Sequence, residues 1–238
     1  MSKYSTYTFD NSRFFMERTK NGVESGGMGW ELITAKGYRE YLQDIDPERS
    51  CLVVVDMQQG CIDGWGLQAE YYAQISEESA RNAAIYTKRC NEIVIPNIIK
   101  LLKLFREKQM PILFLRLGED RLPDVFERRP NETLLTKYSA GAFATCAIDN
   151  WLKEKGVVTT FFVGTDTCAC VNATAHGAND QGYQTILIDD ACMSCRPELH
   201  DATILVWRYK GYVKKTDEVL RDYPWQKWID PGLLSTKQ

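Results

Sequence analysis

The sequence lacks the features that mark nucleic-acid-binding, membrane and secreted proteins. It has no basic stretch, and its 29 Lys and Arg residues against 32 Asp and Glu residues give a net charge of −3. This balance argues against docking on phosphate backbones or anionic lipid. The sequence has no run near the ~20 consecutive apolar residues of a bilayer span, and its first residues lack the basic-then-apolar order of a signal peptide. We therefore expect a cytoplasmic protein that binds neither nucleic acid nor membrane.

Cysteine, by contrast, is well represented. The chain has eight: Cys51, Cys61, Cys90, Cys146, Cys168, Cys170, Cys192 and Cys195. So many cysteines suggest disulfides in a small secreted protein, but this chain has 238 residues and its first residues do not predict a secretory segment. We therefore expect reduced thiols.

Short apolar runs alternate with longer stretches of helical spacing. The strand-like runs are CLVVVD (51–56), PILFLR (111–116), VTTFFVG (158–164) and QTILID (184–189), with ETLLTK (132–137) and YVKKT (212–216) as weaker candidates. Runs that are apolar along their whole length are typical of strands covered by helices on both faces. The pattern predicts a three-layer α/β/α, Rossmann-like fold with a mainly parallel sheet of roughly six strands.

Helical spacing is found at 76–107, 141–155 and 171–182. Pro96 should start, kink or split the first of these helices. The run ATILVW (202–207) fits either a strand or a helix.

The sequence divides into two regions. Residues 1–50 form a separate stretch with a helical pattern at 31–43, which we interpret as an N-terminal arm packed on the core or on a neighbouring subunit. Residues 51–238 carry the alternating pattern and form the main domain.

Three side chains of different chemistry follow the ends of predicted strands: Asp56, Lys137 and Cys170. In an open parallel sheet, ligands bind outside the carboxyl ends of the strands, where these three would meet. Each alone has an ordinary interpretation, because a strand-terminal Asp often caps a loop, a Lys is usually surface charge and a Cys is usually a small buried apolar residue. Cys170 begins a helix, which predicts a lowered thiol pKa and a thiolate.

Three stretches of the sequence resemble the signatures of the isochorismatase-like cysteine hydrolases, the relatives of nicotinamidase, N-carbamoylsarcosine amidase and biuret hydrolase. They are VVVDMQQG (53–60), LLTKYSAGAF (134–143) and VGTDTCACVNATAHGANDQGY (163–183). Order and approximate spacing match over residues 51–220. The resemblance implies that Asp56, Lys137 and Cys170 are a catalytic triad within an isochorismatase-like hydrolase domain at 51–238.

The resemblance also indicates which cysteine is the nucleophile. The family's Gly-x-x-Thr-x-x-Cys-Val pattern aligns with residues 164–171 and places the nucleophile at Cys170, not at Cys168. It further implies a non-proline cis peptide bond between Thr165 and Asp166. The backbone N–H groups of Asp166 and Cys170 would then form an oxyanion hole.

The implied activity is hydrolysis of a linear C–N bond in a small amide, carbamoyl or ureido compound. Cys170 would attack the carbonyl carbon, Asp56 would carry the proton, and a thioester would form. Two alternatives stay open. One is hydrolysis of the vinyl ether of isochorismate, against which Cys170 counts because members with that activity lack the cysteine. The other is a non-catalytic binding module of the same fold.

Several further residues are predicted to line the substrate pocket: Gln58, Cys61, Trp65, Phe143 and His176. Gln58 belongs to the first motif and Phe143 to the second, and His176 lies one turn into the helix that follows the nucleophile. Cys61 stands where the family often has an aromatic residue, and Trp65 could supply that ring. The resemblance assigns His200 to packing or capping.

No cofactor or metal is expected. Metal-dependent nicotinamidases carry an Asp and several His residues between the first two strands, whereas this chain has only His176 and His200, both downstream. The pairs Cys168/Cys170 and Cys192/Cys195 could be read as redox pairs or zinc ligands. A zinc ion there would consume the nucleophile, and C-x-C is rarely a structural zinc pair. Since relatives are commonly homo-oligomers, we expect a homo-oligomer.

Overall fold

The computed structural model describes residues 45–62, 74–210 and 213–225. The predicted N-terminal arm lies outside the described residues except for its last few positions. Trp65 lies outside them as well. The described part begins with a 3₁₀ turn at Pro47–Arg49, which Asp46 caps by accepting a hydrogen bond from Glu48 N.

A six-stranded parallel sheet forms the centre of the protein. Its strands are β1 (Ser50–Val55), β2 (Ile112–Leu117), β3 (Thr133–Lys137), β4 (Thr159–Thr165), β5 (Gln184–Met193) and β6 (Val213–Lys214). They are arranged in the order β3-β2-β1-β4-β5-β6, and every neighbouring pair is parallel. Every residue of β1 and β4 is buried, as expected for strands covered on both faces. The predicted three-layer α/β/α fold is confirmed.

Helices connect the strands. They are α1 (Glu77–Arg89), α2 (Ile95–Glu107), α3 (Ala142–Thr145), α4 (Ile148–Glu154), α5 (Asn172–Asp180), α6 (Pro197–Lys210) and α7 (Thr216–Arg221), with π-helical turns at Cys90–Val94 and Thr167–Val171 and a 3₁₀ turn at Asp124–Phe126. Helix α2 packs against β1, β2, β5 and α7, whereas α5 and α6 pack against β5.

The structure decides three of the helix predictions. Pro96 lies in the first turn of α2, directly after the π-helical turn that separates α2 from α1. Because proline has no N–H to donate to the carbonyl four residues back, the helical ladder is interrupted there. The ambiguous run at 202–207 is part of helix α6, and the pattern at 141–155 forms two short helices rather than one.

The sheet has its topological switch point where the chain leaves β1. From β1 the chain proceeds to β2 on one side, while β4 lies on the other side, so the strand order changes direction at β1. Gly164 lets β4 lie close to β1 at this point: its φ is +116°, and a Cβ there would collide with the carbonyl oxygen of Val55. Ligands of such sheets bind at the carboxyl ends of the strands beside this switch point.

Candidate active site

A buried ion pair lies at the carboxyl end of the sheet. Asp56 directly follows β1 with a left-handed φ of 50°, and its N–H donates to Leu115 O at 2.9 Å. Lys137 ends β3 and is fully buried. Its Nζ lies 2.8 Å from Asp56 Oδ2 and also donates to Ser139 O at 2.9 Å. Because β2 separates β3 from β1, the two side chains must together span two strand spacings, roughly 10 Å in total. The long side chain of Lys137 is suited to this distance.

The Cys170 thiol completes this group. Cys170 lies in the π-helical turn Thr167–Val171 that leads into α5. Its side chain is partly buried, and the Asp56 carboxylate and the Lys137 ammonium lie close enough to it that both shift its pKa. The structure therefore brings together the acid, the amine and the thiol that the sequence singled out.

Thr174 ties the Cys170 turn to the segment that follows Lys137. Its hydroxyl donates to Cys170 O at 2.7 Å and accepts a hydrogen bond from Ala142 N at 3.2 Å. Thr174 is fully buried, one turn into α5. It belongs to the third signature stretch, but the sequence alone did not reveal this bridging contact.

The expected thiolate at Cys170 is contradicted by its surroundings. Burial raises the pKa of the Cys170 thiol, the Asp56 carboxylate raises it further, and Lys137 only partly opposes both, so the pKa is about 11. Burial also raises the pKa of Asp56, against the hydrogen bond and the charge of Lys137. At neutral pH the sulfur therefore keeps its proton and faces the carboxylate. Position at a helix start does not outweigh burial beside a negative charge.

The chain before Cys170 contains the cis peptide bond that the resemblance placed there, between Thr165 and Asp166. Tyr86 of α1 contacts Thr165, the first residue of this bond. Its hydroxyl lies 2.9 Å from Thr165 Oγ1 and 3.4 Å from Cys61 O. Tyr86 is buried, and no motif pointed to it. The oxyanion hole from the N–H groups of Asp166 and Cys170 stays a prediction.

Cys168 has different neighbours from Cys170. Its sulfur lies 3.6 Å from Asp166 Oδ1, and its N–H donates to Ser194 Oγ at 3.0 Å. The other carboxylate oxygen of Asp166 accepts a hydrogen bond from Cys195 N at 3.2 Å. Cys168 and Cys195 thus flank one carboxylate.

Among the predicted pocket residues, Cys61 is affected by the charges of the site. Burial raises its thiol pKa to about 12, with Asp56 and Cys170 as the next largest causes. Gln58 has another environment. Its amide oxygen accepts a hydrogen bond from Leu117 N at 2.7 Å and its amide nitrogen donates to Leu117 O at 2.9 Å. Gln58 thereby clamps the end of β2 to the end of β1.

Phe143 and His176 make aromatic contacts. The Phe143 ring lies 6.3 Å from the Tyr183 ring, and it packs so closely on Gly177 that a Cβ there would lie 2.8 Å from the ring. The His176 ring lies 4.8 Å from the ring of Trp207 in α6. Contact of either residue with a substrate stays a prediction.

Among the residues that the structure describes, no group of three or more His, Cys, Asp or Glu side chains is arranged to hold a metal ion. In the same ranges, no helix is both long enough and apolar enough to cross a membrane. His200 is buried, as expected of a packing residue, but both of its ring nitrogens lie within hydrogen-bonding distance of polar side chains.

Comparison with known proteins relates the chain to a family of hydrolases. The sequence pattern of the isochorismatase domain family matches residues 50–218. The ureidoacrylate amidohydrolase RutB of Acinetobacter baylyi is 27% identical over 231 residues, which cover 84% of this chain and 93% of RutB. Because that coverage exceeds the span of the domain match, the likeness to RutB extends outside the domain.

Two solved structures share the fold. A cysteine hydrolase from Pseudomonas syringae superposes with a TM-score of 0.61 at 20% identity, covering 74% of this chain and 93% of that one. The N-carbamoylsarcosine amidase of Thermoplasma acidophilum gives a TM-score of 0.54 at 22% identity, covering 72% and 98%. At these identities the likeness shows the fold alone.

Proposed function

Because the chain belongs to the isochorismatase domain family, we propose that it is a cysteine-dependent amidohydrolase. Its substrate would be a small amide, carbamoyl or ureido compound with a linear C–N bond. The observation that carries the proposal is the buried contact of 2.8 Å between Lys137 Nζ and Asp56 Oδ2, with the Cys170 thiol close enough for both groups to shift its pKa. Covalent hydrolysis of an acyl compound requires a nucleophile, a base and a cation close together, and these three groups lie at one end of the sheet.

In the first step Cys170 attacks the carbonyl carbon of the substrate. The thiol proton passes to the Asp56 carboxylate as the S–C bond forms, because the sulfur is protonated at rest. The carbonyl oxygen becomes an oxyanion, for which the N–H groups of Asp166 and Cys170 are the proposed donors. Lys137 keeps the negative charge of the site compensated throughout.

In the second step the C–N bond breaks. Asp56 returns the proton to the departing nitrogen, which leaves as ammonia or an amine, and a thioester remains on Cys170. Water then attacks the thioester while Asp56 accepts one of its protons. The acid product leaves and the thiol regains its proton, so that Asp56 and Cys170 return to their starting states.

The substrate class is supported by the name of one relative. RutB is a ureidoacrylate amidohydrolase, an enzyme that acts on an amide-type C–N bond of a ureido compound. The ordinary alternative, hydrolysis of a vinyl ether, needs no nucleophile and would leave the buried thiol beside Asp56 without a task. A cytoplasmic location and a homo-oligomeric state go with the proposal as further predictions.

Mass spectrometry of the intact protein tests the proposal. Incubation with a panel of small amides, carbamoyl compounds and ureides should yield an acyl adduct on Cys170 together with released ammonia or amine. Cys170→Ala should abolish both signals, whereas the matched variant Cys168→Ala should retain them. Full turnover by Cys170→Ala, or an adduct found only on Cys168, would overturn the proposal.

A further inference from the structure

A network of three polar side chains, two of them buried, runs from β5 to the turn that carries Cys170. His200 Nδ1 lies 2.9 Å from Thr167 Oγ1, and His200 Nε2 lies 3.0 Å from Asp189 Oδ1. Thr167 is fully buried and His200 is 4% exposed. Thr167 opens the π-helical turn Thr167–Val171 and directly follows Asp166. The imidazole thus connects a strand of the sheet to the nucleophile turn.

Asp189 is the member of this network that belongs to the sheet. Its other carboxylate oxygen accepts a hydrogen bond from Arg208 at 2.8 Å. The hydrogen bond from His200 is the largest cause that holds the pKa of Asp189 below its usual range, and Arg208 adds to it. Asp189 is therefore ionised at neutral pH, and it belongs to the long strand β5.

An ionised carboxylate at 3.0 Å requires Nε2 to carry a hydrogen. In the tautomer with its one hydrogen on Nε2, Nδ1 accepts the hydrogen of the Thr167 hydroxyl. Arg89 lies 3.3 Å from Nε2, but it carries only donors, and its NH2 group donates to the carbonyls of Asp189 and Cys192. Asp189 thus orients the imidazole, and the imidazole in turn holds the Thr167 hydroxyl.

We propose that His200 is a positioning residue for the nucleophile: through Thr167 it holds the turn Thr167–Val171 so that Cys170 sulfur stays directed at the substrate carbonyl and at Asp56. This inference rests on the proposed role of Cys170. Thr167 lies three residues before the sulfur and next to a proposed oxyanion donor, so a shift of the turn misplaces the nucleophile and its oxyanion hole together. A misplacement of about 1 Å remote from the chemistry can cost about a hundredfold in rate.

The test uses p-nitrophenyl acetate, an activated ester that acylates a reactive cysteine and releases coloured p-nitrophenol. In the unmodified protein we expect a burst equal to one acyl group on Cys170, which Cys170→Ala removes. Thr167→Val deletes the hydroxyl at constant shape, and Thr167→Ser restores it. Thr160→Val is the matched control, because Thr160 is an equally buried threonine of β4 whose hydroxyl donates to Gln184 O at 3.0 Å.

We expect Thr167→Val to slow acylation by about 10- to 100-fold at an unchanged half-saturating ester concentration. Thr167→Ser should recover to within about threefold, and Thr160→Val should remain near the unmodified rate. His200→Phe, which keeps the bulk of the ring without its nitrogens, should produce the same loss as Thr167→Val. The double variant should lose no more than either single variant, since both break one contact.

The outcomes separate the two proposals. Acylation of Cys170 at equal rates in the unmodified protein and in Thr167→Val overturns the positioning role and leaves the proposed function intact. Equal slowing by Thr160→Val would show a general packing effect and would also overturn it. A protein that is never acylated at Cys170 overturns the proposed function, and the positioning role with it.

Discussion

Replacing Asp56 by Asn should make Cys170 more reactive toward a simple thiol reagent while abolishing amide hydrolysis. The carboxylate of Asp56 is the second largest cause that raises the Cys170 pKa, and Lys137 is the opposing cause that Asp56→Asn leaves in place. Removing the negative charge therefore favours the thiolate. Turnover should nevertheless stop, because the amide cannot carry a proton from sulfur to the leaving nitrogen.

The expected increase in the labelling rate of Cys170 follows from two opposing effects. A thiol of pKa about 11 is only roughly one part in a thousand thiolate at pH 8. Removing a neighbouring charge shifts a pKa by about 1 to 3 and so raises the thiolate fraction roughly 10- to 1,000-fold. The intrinsic nucleophilicity of the thiolate falls by about threefold for each tenfold gain. We therefore expect Asp56→Asn to react roughly 3- to 40-fold faster.

The assay is labelling with a small neutral disulfide reagent, followed at Cys170 by peptide mass spectrometry from pH 6 to 10. The unmodified protein should label faster with each rise in pH across this range, because its thiol pKa lies above it. Asp180→Asn removes an exposed carboxylate and serves as the control. If Asp56→Asn labels more slowly than the unmodified protein, the carboxylate promotes ionisation of the sulfur, and the neutral resting thiol is refuted.

Two predictions concern stability, measured as the free energy of unfolding in urea. Glu132→Gln should cost about 3 to 5 kcal/mol, because Glu132 and Arg106 form a buried pair with contacts of 2.7 and 3.0 Å. Glu107→Gln, in an exposed pair, should cost under about 1 kcal/mol. Similar losses of stability in the two variants would contradict the greater contribution of the buried pair. Gly164→Ala should be far more damaging than Gly156→Ala. Both have positive φ, but open space surrounds only Gly156, which limits its cost to about 1 to 2 kcal/mol. Equal losses would refute the close approach at Gly164.

The strands could be predicted in proportion to their burial. Strands β1 and β4 are buried along their whole length, so their sequences are mostly apolar or β-branched and show no alternation with charged residues. Strand β3 is half-buried except at Lys137, and its weaker pattern reflects that exposure. Strand β6 has only two residues, which is too short for any periodicity.

The run at 202–207 shows why an apolar segment can hide its own structure. In helix α6, Ile204 and Trp207 face the core, while Leu205 and Val206 are 70% and 52% exposed. Burial therefore follows the helical spacing of three residues, but the sequence does not, because the exposed positions are also apolar. Without polar residues on the outer face, a helix and a strand look alike.

The contacts around the site were beyond the sequence for a different reason. The amide of Gln58 clamps Leu117 across the ends of two strands, a contact that its motif did not indicate; a place in the substrate pocket stays a prediction for this residue. His200 links Thr167 to Asp189, which requires β5 and α6 to be placed beside the nucleophile turn. Such links join residues far apart in the chain, and only the fold decides which of many polar side chains meet.

The protonation state of the nucleophile depends on the fold in the same way. The sequence supplies a thiol, a carboxylate and an ammonium group, but the same three groups give a thiolate or a thiol depending on which charge lies nearer and how deeply each is buried. Here burial and Asp56 together outweigh Lys137 and the helix start. The sulfur therefore holds a proton that must move as it attacks. Asp56 must then be both ionised and adjacent at that moment, which the buried contact with Lys137 makes possible in spite of the burial that raises the Asp56 pKa.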